Sequence, residues 1–323
     1  MTDTKYTYAV ARIRSLEVPL FTNAAIDQLL ACKTEEECLQ FISDKGWGDT
    51  DTPMNADAIL KREEEKIWET MKELAVDMSL FDVLSYPNQF HNLKAAIKEV
   101  CTETDNPGIF YDDCPINGEQ MLEIVRNKEL FRLPENMQAA AQEAYDTLLH
   151  TRDGQLCDII IDRATLEAIY AAGKASKADI IKNYAEDTVA IADIKIAVRS
   201  QKTAKTMEFM KRAMAECDSI SVDRLAKAAL AGEDTLIEYL MGTAYAGGAE
   251  ALKESTSAFE RWCDNRVIQT IQPQKYEAFS VGPLVAYVLA RENEIKTVRI
   301  ILSCKQNDFP DDSIRERVRE MYV

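Results

Sequence analysis

The chain has 323 residues and a formal net charge of −17 at pH 7, with 46% hydrophobic and 29% charged residues. This composition is typical of a globular protein and argues against a disordered chain. Because nucleic acids and anionic membrane surfaces are also negatively charged, the acidity argues against both as partners. The start lacks an apolar leader pattern, and the longest apolar run, Val281–Ala290, is about half of a membrane span. We therefore expect a cytoplasmic protein without a transmembrane segment.

Helical periodicity runs through most of the sequence and predicts an all-α fold. Apolar residues recur at helical spacing over residues 67–78 and 137–149. No proline interrupts residues 135–272, so long helices can form there without a break.

The middle of the chain gives two more specific expectations. The short alternating segment Cys157–Asp162 is the best candidate for a strand, followed by a helix that Asp162 would cap and Gly173 would end. No helix-breaking residue occurs from Ser176 to about Cys217. This stretch predicts one very long helix or two helices joined at a kink.

A short element recurs along the chain. A polar residue, then Leu or Ile, then Lys, is followed by apolar residues one turn later around Leu93, Ile194 and Ile295, which are spaced by 101 and 101 residues. A looser copy surrounds Ile13, 80 residues before Leu93. Four copies that bound three spacers of similar length predict a threefold internal repeat. The predicted domains comprise residues 1–104, 105–205 and 206–323.

A second motif follows each of the first three copies. It consists of a short amphipathic helix, a polar break and another short helix, and it begins at Ile26, Glu119 and Val222. Each individual match is weak, and the regular spacing of the matches indicates the repeat.

Residues that enzyme sites require are sparse. The two histidines, His91 and His150, fit no zinc or di-iron spacing, the eight cysteines form no CxxC pair, and no glycine-rich phosphate-binding loop occurs. We predict a chain without catalytic residues, cofactor, metal or bound nucleotide. Gly247–Gly248 is interpreted as a helix break. The runs Glu35–Glu37 and Glu63–Glu65 are interpreted as solvated helix faces, because consecutive helical residues point in different directions.

A dense group of charges interrupts an apolar helix near the C-terminus. In a structural interpretation, Glu292 and Lys296 form a favourable i, i+4 pair on an exposed face. In a functional interpretation, Arg291, Glu294 and Arg299 contact a protein partner or a neighbouring repeat. The spacing leaves both interpretations open.

Segments at both ends of the chain carry a family resemblance. The C-terminal positions are Glu292, Glu294, Ile295, Lys296, Val298, Arg299, Lys305, Ile314, Arg315 and Tyr322. The other positions are Tyr8–Glu17, the motif from Ile26, Trp47–Gly48 (with Trp where Tyr is usual) and Thr243–Tyr245. Together they resemble the C subunit of the bacterial and archaeal V-type (A-type) ATPases, which is the counterpart of the eukaryotic d subunit.

The resemblance implies a non-catalytic rotor component. Family members consist of three similar helical domains around a pseudo-threefold axis, which form a funnel. Its base sits on the cytoplasmic face of the membrane rotor ring of c- or K-type proteolipids, and its mouth receives the central shaft, which the D and F subunits form. The chain would then be peripheral to the membrane, and would couple the shaft to the ring in ATP-driven ion transport or ion-driven ATP synthesis.

We expect the copies of the repeated element to contact partners or to seal joints between domains. The candidate residues are Arg12, Arg14, Lys94, Lys195, Arg291, Glu292, Glu294, Lys296 and Arg299. One alternative is a helical repeat adaptor of another cytosolic complex, which co-purification with a rotor ring would exclude. Another is a helical enzyme with a carboxylate site, which a metal assay would detect.

Overall fold

The described part of the chain is helical throughout its regular structure, which confirms the all-α prediction. The structure is a computed structural model and describes residues 6–74, 76–104, 108–112 and 114–323. In chain order the helices are α1 (Thr7–Glu17), α2 (Asn23–Ala31), α3 (Glu35–Asp44), α4 (Ala56–Glu73), α5 (Asp82–Thr102), α6 (Gly118–Arg126), α7 (Glu135–Thr151), α8 (Gly154–Ala175), α9 (Asp179–Lys202), α10 (Met207–Ala213), α11 (Val222–Ala231), α12 (Glu233–Met241), α13 (Ala246–Glu254), α14 (Thr256–Ile271), α15 (Gly282–Gln306) and α16 (Asp311–Arg315). Within these described residues, no helix is both long and apolar enough to cross a membrane.

The helices belong to two compact units. The first unit comprises Met1–Met78, Ala178–Ile180 and Ala246–Val323, and the second comprises Ser79–Lys177 and Ile181–Tyr245. The first unit therefore combines the two ends of the chain. The division into three domains of about a hundred residues stays a prediction.

Helix α15 forms the core of the first unit. It contacts α1, α3, α4 and α14, and most of its side chains are buried. The helix is apolar on all sides over its first half, from Gly282 to Ala290, and such a helix is stable only when neighbours surround it. Pro283 lies in the first turn, where its missing N–H is not needed.

The second unit is organised around α5 and α8. Helix α5 contacts α6, α7 and α8, and α7 packs along α8. Phe90, Leu93 and Ile97 of α5 enter a buried apolar cluster with residues of these helices, among them Met121 and Ile161. Burial of such side chains contributes about 1.5–3 kcal/mol each.

The expected strand at Cys157–Asp162 is wrong, because these residues lie inside α8. Asp153 caps this helix instead of Asp162, and its side chain accepts a hydrogen bond from the Leu156 N–H at 3.0 Å. Gly173 does not end α8 either. A Cβ atom at Gly173 would lie 2.3 Å from the Cβ of Ala185, so this glycine permits close packing between α8 and α9.

Other local expectations had mixed outcomes. The stretch from 176 to 217 forms two helices, α9 and α10, as one alternative predicted, but residues 203–206 separate them and there is no kink between joined helices. The helix over 67–78 ends earlier, at Glu73; Ala75 lies outside the described residues and Met78 begins a 3-10 turn. Gly247 and Gly248 do not break a helix, since both lie within α13, where added Cβ atoms would meet the Trp262 ring at 2.6 and 2.7 Å.

The recurring elements have matching burial. The central residues Ile13, Leu93, Ile194 and Ile295 are each at most 2% exposed. The second motif begins with α2, α6 and α11, and each of these helices has buried residues at positions i, i+3 and i+4. The three sets are Ile26, Leu29 and Leu30; Met121, Ile124 and Val125; and Val222, Leu225 and Ala226.

Candidate functional site

Arg291 and Glu294 lie in the interior of the first unit. The Arg291 guanidinium pairs with the carboxylates of Glu294, one turn along α15, and of Glu63 on α4. Its Cζ atom lies 5.1 Å from the centre of the Trp47 ring, which in turn stacks on Phe21 with ring centres 5.2 Å apart. We call these five residues the α15 network.

Glu63 extends the network to the Trp47–Gly48 segment. Its Oε1 accepts hydrogen bonds from the Gly48 N–H at 2.9 Å and from Lys66 Nζ at 2.7 Å. Gly48 has φ of +75°, a left-handed conformation that favours glycine. The aromatic-Gly pair of the family resemblance thus supplies a ring beneath Arg291 and a sharp turn that brings an N–H to Glu63.

Burial and charge oppose each other within this network. Burial by itself lowers the pKa of Arg291, but the charges of Glu294 and Glu63 outweigh it and the pKa lies above its ordinary value. Burial raises the pKa of Glu294, against the opposing effect of Arg291. A buried ionic cluster of this kind specifies which side chains pack together, and it adds little to the net free energy of unfolding.

Glu294 also anchors the backbone, and equivalent side chains in the second unit do the same. Its Oε1 accepts a hydrogen bond from the Phe21 N–H. Asn92, one residue before Leu93, accepts from the Tyr111 N–H and donates to the Tyr111 carbonyl oxygen, both at 2.9 Å. Asp193, one residue before Ile194, accepts from the Ala215 N–H at 3.1 Å. We call these three hydrogen-bonded pairs the polar latches.

The polar latches share a place in the repeat. Asn92, Asp193 and Glu294 are each at most 2% exposed. The anchored residues Tyr111, Ala215 and Phe21 all lie within eight residues of the start of the second motif that follows them. Glu294 belongs to the last copy of the repeated element, and its partner Phe21 precedes the second motif that begins at Ile26. This latch therefore joins the two ends of the chain.

Arg14 and Lys305 also join the ends of the chain within the first unit. Arg14 pairs with Glu17 at 2.8 Å and donates to the carbonyl oxygens of Gln274 at 2.5 Å and Glu277 at 2.7 Å. Lys305 Nζ is buried and donates to the Leu30 carbonyl oxygen, at the C-terminal end of α2, at 2.9 Å. This contact satisfies a carbonyl group that the helix itself leaves without a partner.

The other predicted residues lie nearer the surface. Lys94 pairs with Asp162 at 2.7 Å, Lys296 with Asp264 at 3.1 Å, and Arg299 with Glu64 at 2.7 Å. Lys195 is half-buried on α9, and Glu292 is exposed on α15. Arg12 is exposed on α1, where it donates to the Ser15 hydroxyl at 3.4 Å. Contact of any of these residues with a partner stays a prediction.

Several members of the site escaped the sequence analysis. Glu63 was interpreted as solvated together with Glu64 and Glu65, which is wrong for Glu63 alone, since it is 4% exposed. The available signal was its spacing of four residues from Ile59 and Ile67 on the apolar face of α4. Phe21, Asn92 and Asp193 gave no separate signal, because their partners are distant in sequence.

His91 lies beside the Asn92 latch, with its ring 5.0 Å from the centre of the Tyr111 ring, whereas His150 belongs to a different helix. His91 Nε2 lies 3.0 Å from the Ile109 carbonyl oxygen, and His150 is exposed near the end of α7. Among the described residues, no group of three or more His, Cys, Asp or Glu side chains is placed to hold a metal ion.

The described residues form an all-helical protein in which a polar latch occurs three times and the terminal segments are hydrogen-bonded to each other. Sequence comparison gives its family. Residues 9–317 match the ATP synthase (C/AC39) subunit family. The chain belongs to this family, and the resemblance to the C subunit of V-type and A-type ATPases is confirmed.

Two relatives share this assignment. The C subunit of the V-type sodium ATPase of Enterococcus hirae is 22% identical over 273 residues, covering 82% of each chain. The C subunit of the A-type ATP synthase of Methanocaldococcus jannaschii is 21% identical over 341 aligned positions, covering 96% of this chain and 85% of the relative.

Proposed function

We propose that the chain is a non-catalytic central-stalk component of a V-type or A-type ATPase. It forms a socket between the shaft, made of the D and F subunits, and the membrane rotor ring, on the cytoplasmic face of the membrane. In this role it transmits rotation in ATP-driven ion transport or ion-driven ATP synthesis. Membership of the ATP synthase (C/AC39) subunit family supports this assignment.

The observation that carries the proposal is the latch between Glu294 and Phe21. A protein that transmits torque must resist opening, and helical repeats open most readily at their ends. Here residues 273 positions apart are hydrogen-bonded in a buried site, and Lys305 and Arg14 add further contacts between the terminal segments. These contacts are expected to keep the terminal segments folded when torque is applied.

The long helices support the same role. Helices α8, α9 and α15 have 22, 24 and 25 residues. At 1.5 Å per residue, they span roughly 33–38 Å. Because their backbone hydrogen bonds are internal and their packed faces resist shear, such helices deform little when torque is applied.

A surface on α1 is the best candidate for contact with the complex. Tyr8 is 75% exposed and lies one turn from the exposed Arg12. We call Tyr8 and Arg12 the α1 patch. An exposed aromatic residue beside an arginine is the composition typical of interface hot spots.

Binding to purified partners tests the function. We expect the chain to bind the D–F shaft and, separately, the rotor ring in detergent, as measured by gel filtration and by surface-immobilised titration. The socket proposal would be refuted if the chain failed to bind the shaft or failed to bind the ring. The double variant Tyr8→Ala, Arg12→Glu is expected to weaken at least one of these interactions by about tenfold or more, the effect of losing one hot-spot residue.

The matched control alters the same residue types elsewhere. Phe131 and Arg132 are an exposed aromatic residue and an adjacent arginine in the second unit. We expect the double variant Phe131→Ala, Arg132→Glu to bind both partners as the wild type does. If the two double variants bind alike, the α1 patch is not the contact surface. The socket proposal itself is tested by whether the wild-type chain binds the shaft and the ring.

A further inference from the structure

Asp193 differs from the other two polar latches in having a single hydrogen bond among the described residues. Its Oδ1 accepts from the Ala215 N–H at 3.1 Å, while Oδ2 is buried and has no hydrogen-bond partner there. The side chain is fully buried and lies by an apolar cluster of Leu166, Val189 and Ala215. A carboxylate in such surroundings is strongly destabilised unless it is paired.

The equivalent residue in the preceding copy is neutral. The Asn92 carboxamide both accepts from and donates to the backbone of Tyr111. A protonated carboxyl group has the same shape as a carboxamide and also carries one acceptor and one donor. Glu294, in contrast, is charged and has Arg291 beside it. Within the described part of the chain, Asp193 has no such cation in contact.

The charged groups around Asp193 do not compensate for its burial. On the packed helix α8, Arg163 favours the ionised form but already pairs with Glu167 at 2.8 Å. In the segment after α10, Glu216 disfavours the ionised form. Cys217, beside it, has a pKa raised by burial to about 11, so its thiol stays neutral at physiological pH.

We propose that the folded chain carries Asp193 in its protonated form, as a neutral counterpart of Asn92, and that ionisation of this carboxyl group releases Ala215 and opens the segment 203–221. The segment connects α9 to α11 and contains α10. The inference goes beyond the proposed function, since it concerns a pH-sensitive latch and holds whether or not the chain binds the shaft.

The direction of the pH dependence follows from the two states. Burial raises the pKa of Asp193 to about 8 in the folded chain, whereas an unfolded aspartate has a pKa near about 3.9. The stability associated with the neutral carboxyl is complete below about pH 4. It is lost as the pH rises toward about 8, by up to roughly tenfold in the opening equilibrium per pH unit.

Hydrogen exchange at single amides tests the proposal. We expect the protection factor of the Ala215 amide in the full chain to fall between about pH 6 and about pH 8, and Asp193→Asn to abolish that fall. The reciprocal variant Asn92→Asp should introduce a similar fall at the Tyr111 amide. If Asp193→Asn retains the wild-type fall, the proposal is wrong.

A measurement on the wild-type chain keeps the test decisive if a variant does not fold. The carboxyl carbon of Asp193, labelled with ¹³C, should show the chemical shift of a protonated acid at about pH 6 and titrate with a midpoint near about pH 8. Its shift should change together with the protection of the Ala215 amide. A carboxyl carbon that is already ionised at the lower pH would overturn the proposal.

Discussion

The latches at Asn92 and Glu294 occupy the same position in the repeated element and differ in chemistry. Asn92 in the second unit is neutral and makes both of its hydrogen bonds to one residue, Tyr111. Glu294 in the first unit is charged, makes one backbone hydrogen bond to Phe21, and depends on Arg291 for charge compensation.

The difference shows what this position requires. In both places a buried polar side chain satisfies the backbone N–H of a segment that leads into the second motif, since an unpaired buried N–H is costly. The amide achieves this alone, whereas the carboxylate needs two further elements, α4 and the segment at Trp47. The charged latch therefore joins more of the chain but is more vulnerable to a single substitution.

The largest effect is expected for Arg291→Met. The substitution removes the cation and leaves Glu63 and Glu294 buried near one another, which should destabilise the first unit by about 3–5 kcal/mol. Chemical unfolding monitored by tryptophan fluorescence would measure the change, because Trp47, Trp68 and Trp262 all lie in the first unit. Arg299→Met is the control, because its ion pair with Glu64 is exposed and should contribute only about 0–1 kcal/mol. Equal effects of both variants would contradict the burial argument.

A smaller loss is expected for Asn92→Leu. The substitution keeps the branched shape of the side chain but leaves the N–H and carbonyl groups of Tyr111 without their partner, which should cost about 1–3 kcal/mol because Tyr111 is itself 45% exposed. Thermal unfolding and hydrogen exchange at the Tyr111 amide would measure it. Asn136→Leu is the control, since Asn136 is an exposed asparagine on α7 in the same unit. If the Tyr111 amide stayed protected from exchange in Asn92→Leu, Asn92 would not hold this segment as Glu294 holds Phe21.

Arg14→Ala should have an effect of about 1–2 kcal/mol, because Arg14 is only partly buried and its hydrogen bonds are charge-assisted. We expect faster hydrogen exchange in the segment around Gln274–Glu277 and little change in the second unit. Unchanged exchange there would show that Arg14 does not hold this segment.

The smallest effects are expected at the residues that follow the central Leu or Ile. Lys94→Met and Lys296→Met each remove an ion pair that is partly exposed to solvent, with Asp162 and Asp264 respectively. Each should change the free energy of unfolding by about 0–1 kcal/mol, and less at high salt. A loss above about 2 kcal/mol from either variant would assign these pairs a structural role like that of Arg291.

The sequence was sufficient for features that depend on local pattern. It predicted the helical class and the apolar helix α15, because periodicity is visible within one segment. It failed at Cys157–Asp162, where a short alternation belonged to a longer helix that Asp153 caps.

Contacts between distant segments could not be predicted in this way. The spacing of Glu63 from Ile59 and Ile67 indicates a buried helix face, but its partner Arg291 is 228 residues away and could not be identified from the sequence. The Gly247–Gly248 pair likewise has a packing role that only the position of Trp262 reveals.

The most direct test of the proposed function is coupling in a reconstituted complex. Complexes assembled without this chain are expected to hydrolyse ATP but to transport no ions across a vesicle membrane, and addition of the purified chain should restore transport. Ion transport at the wild-type rate in its absence would contradict the assignment as the socket between shaft and ring.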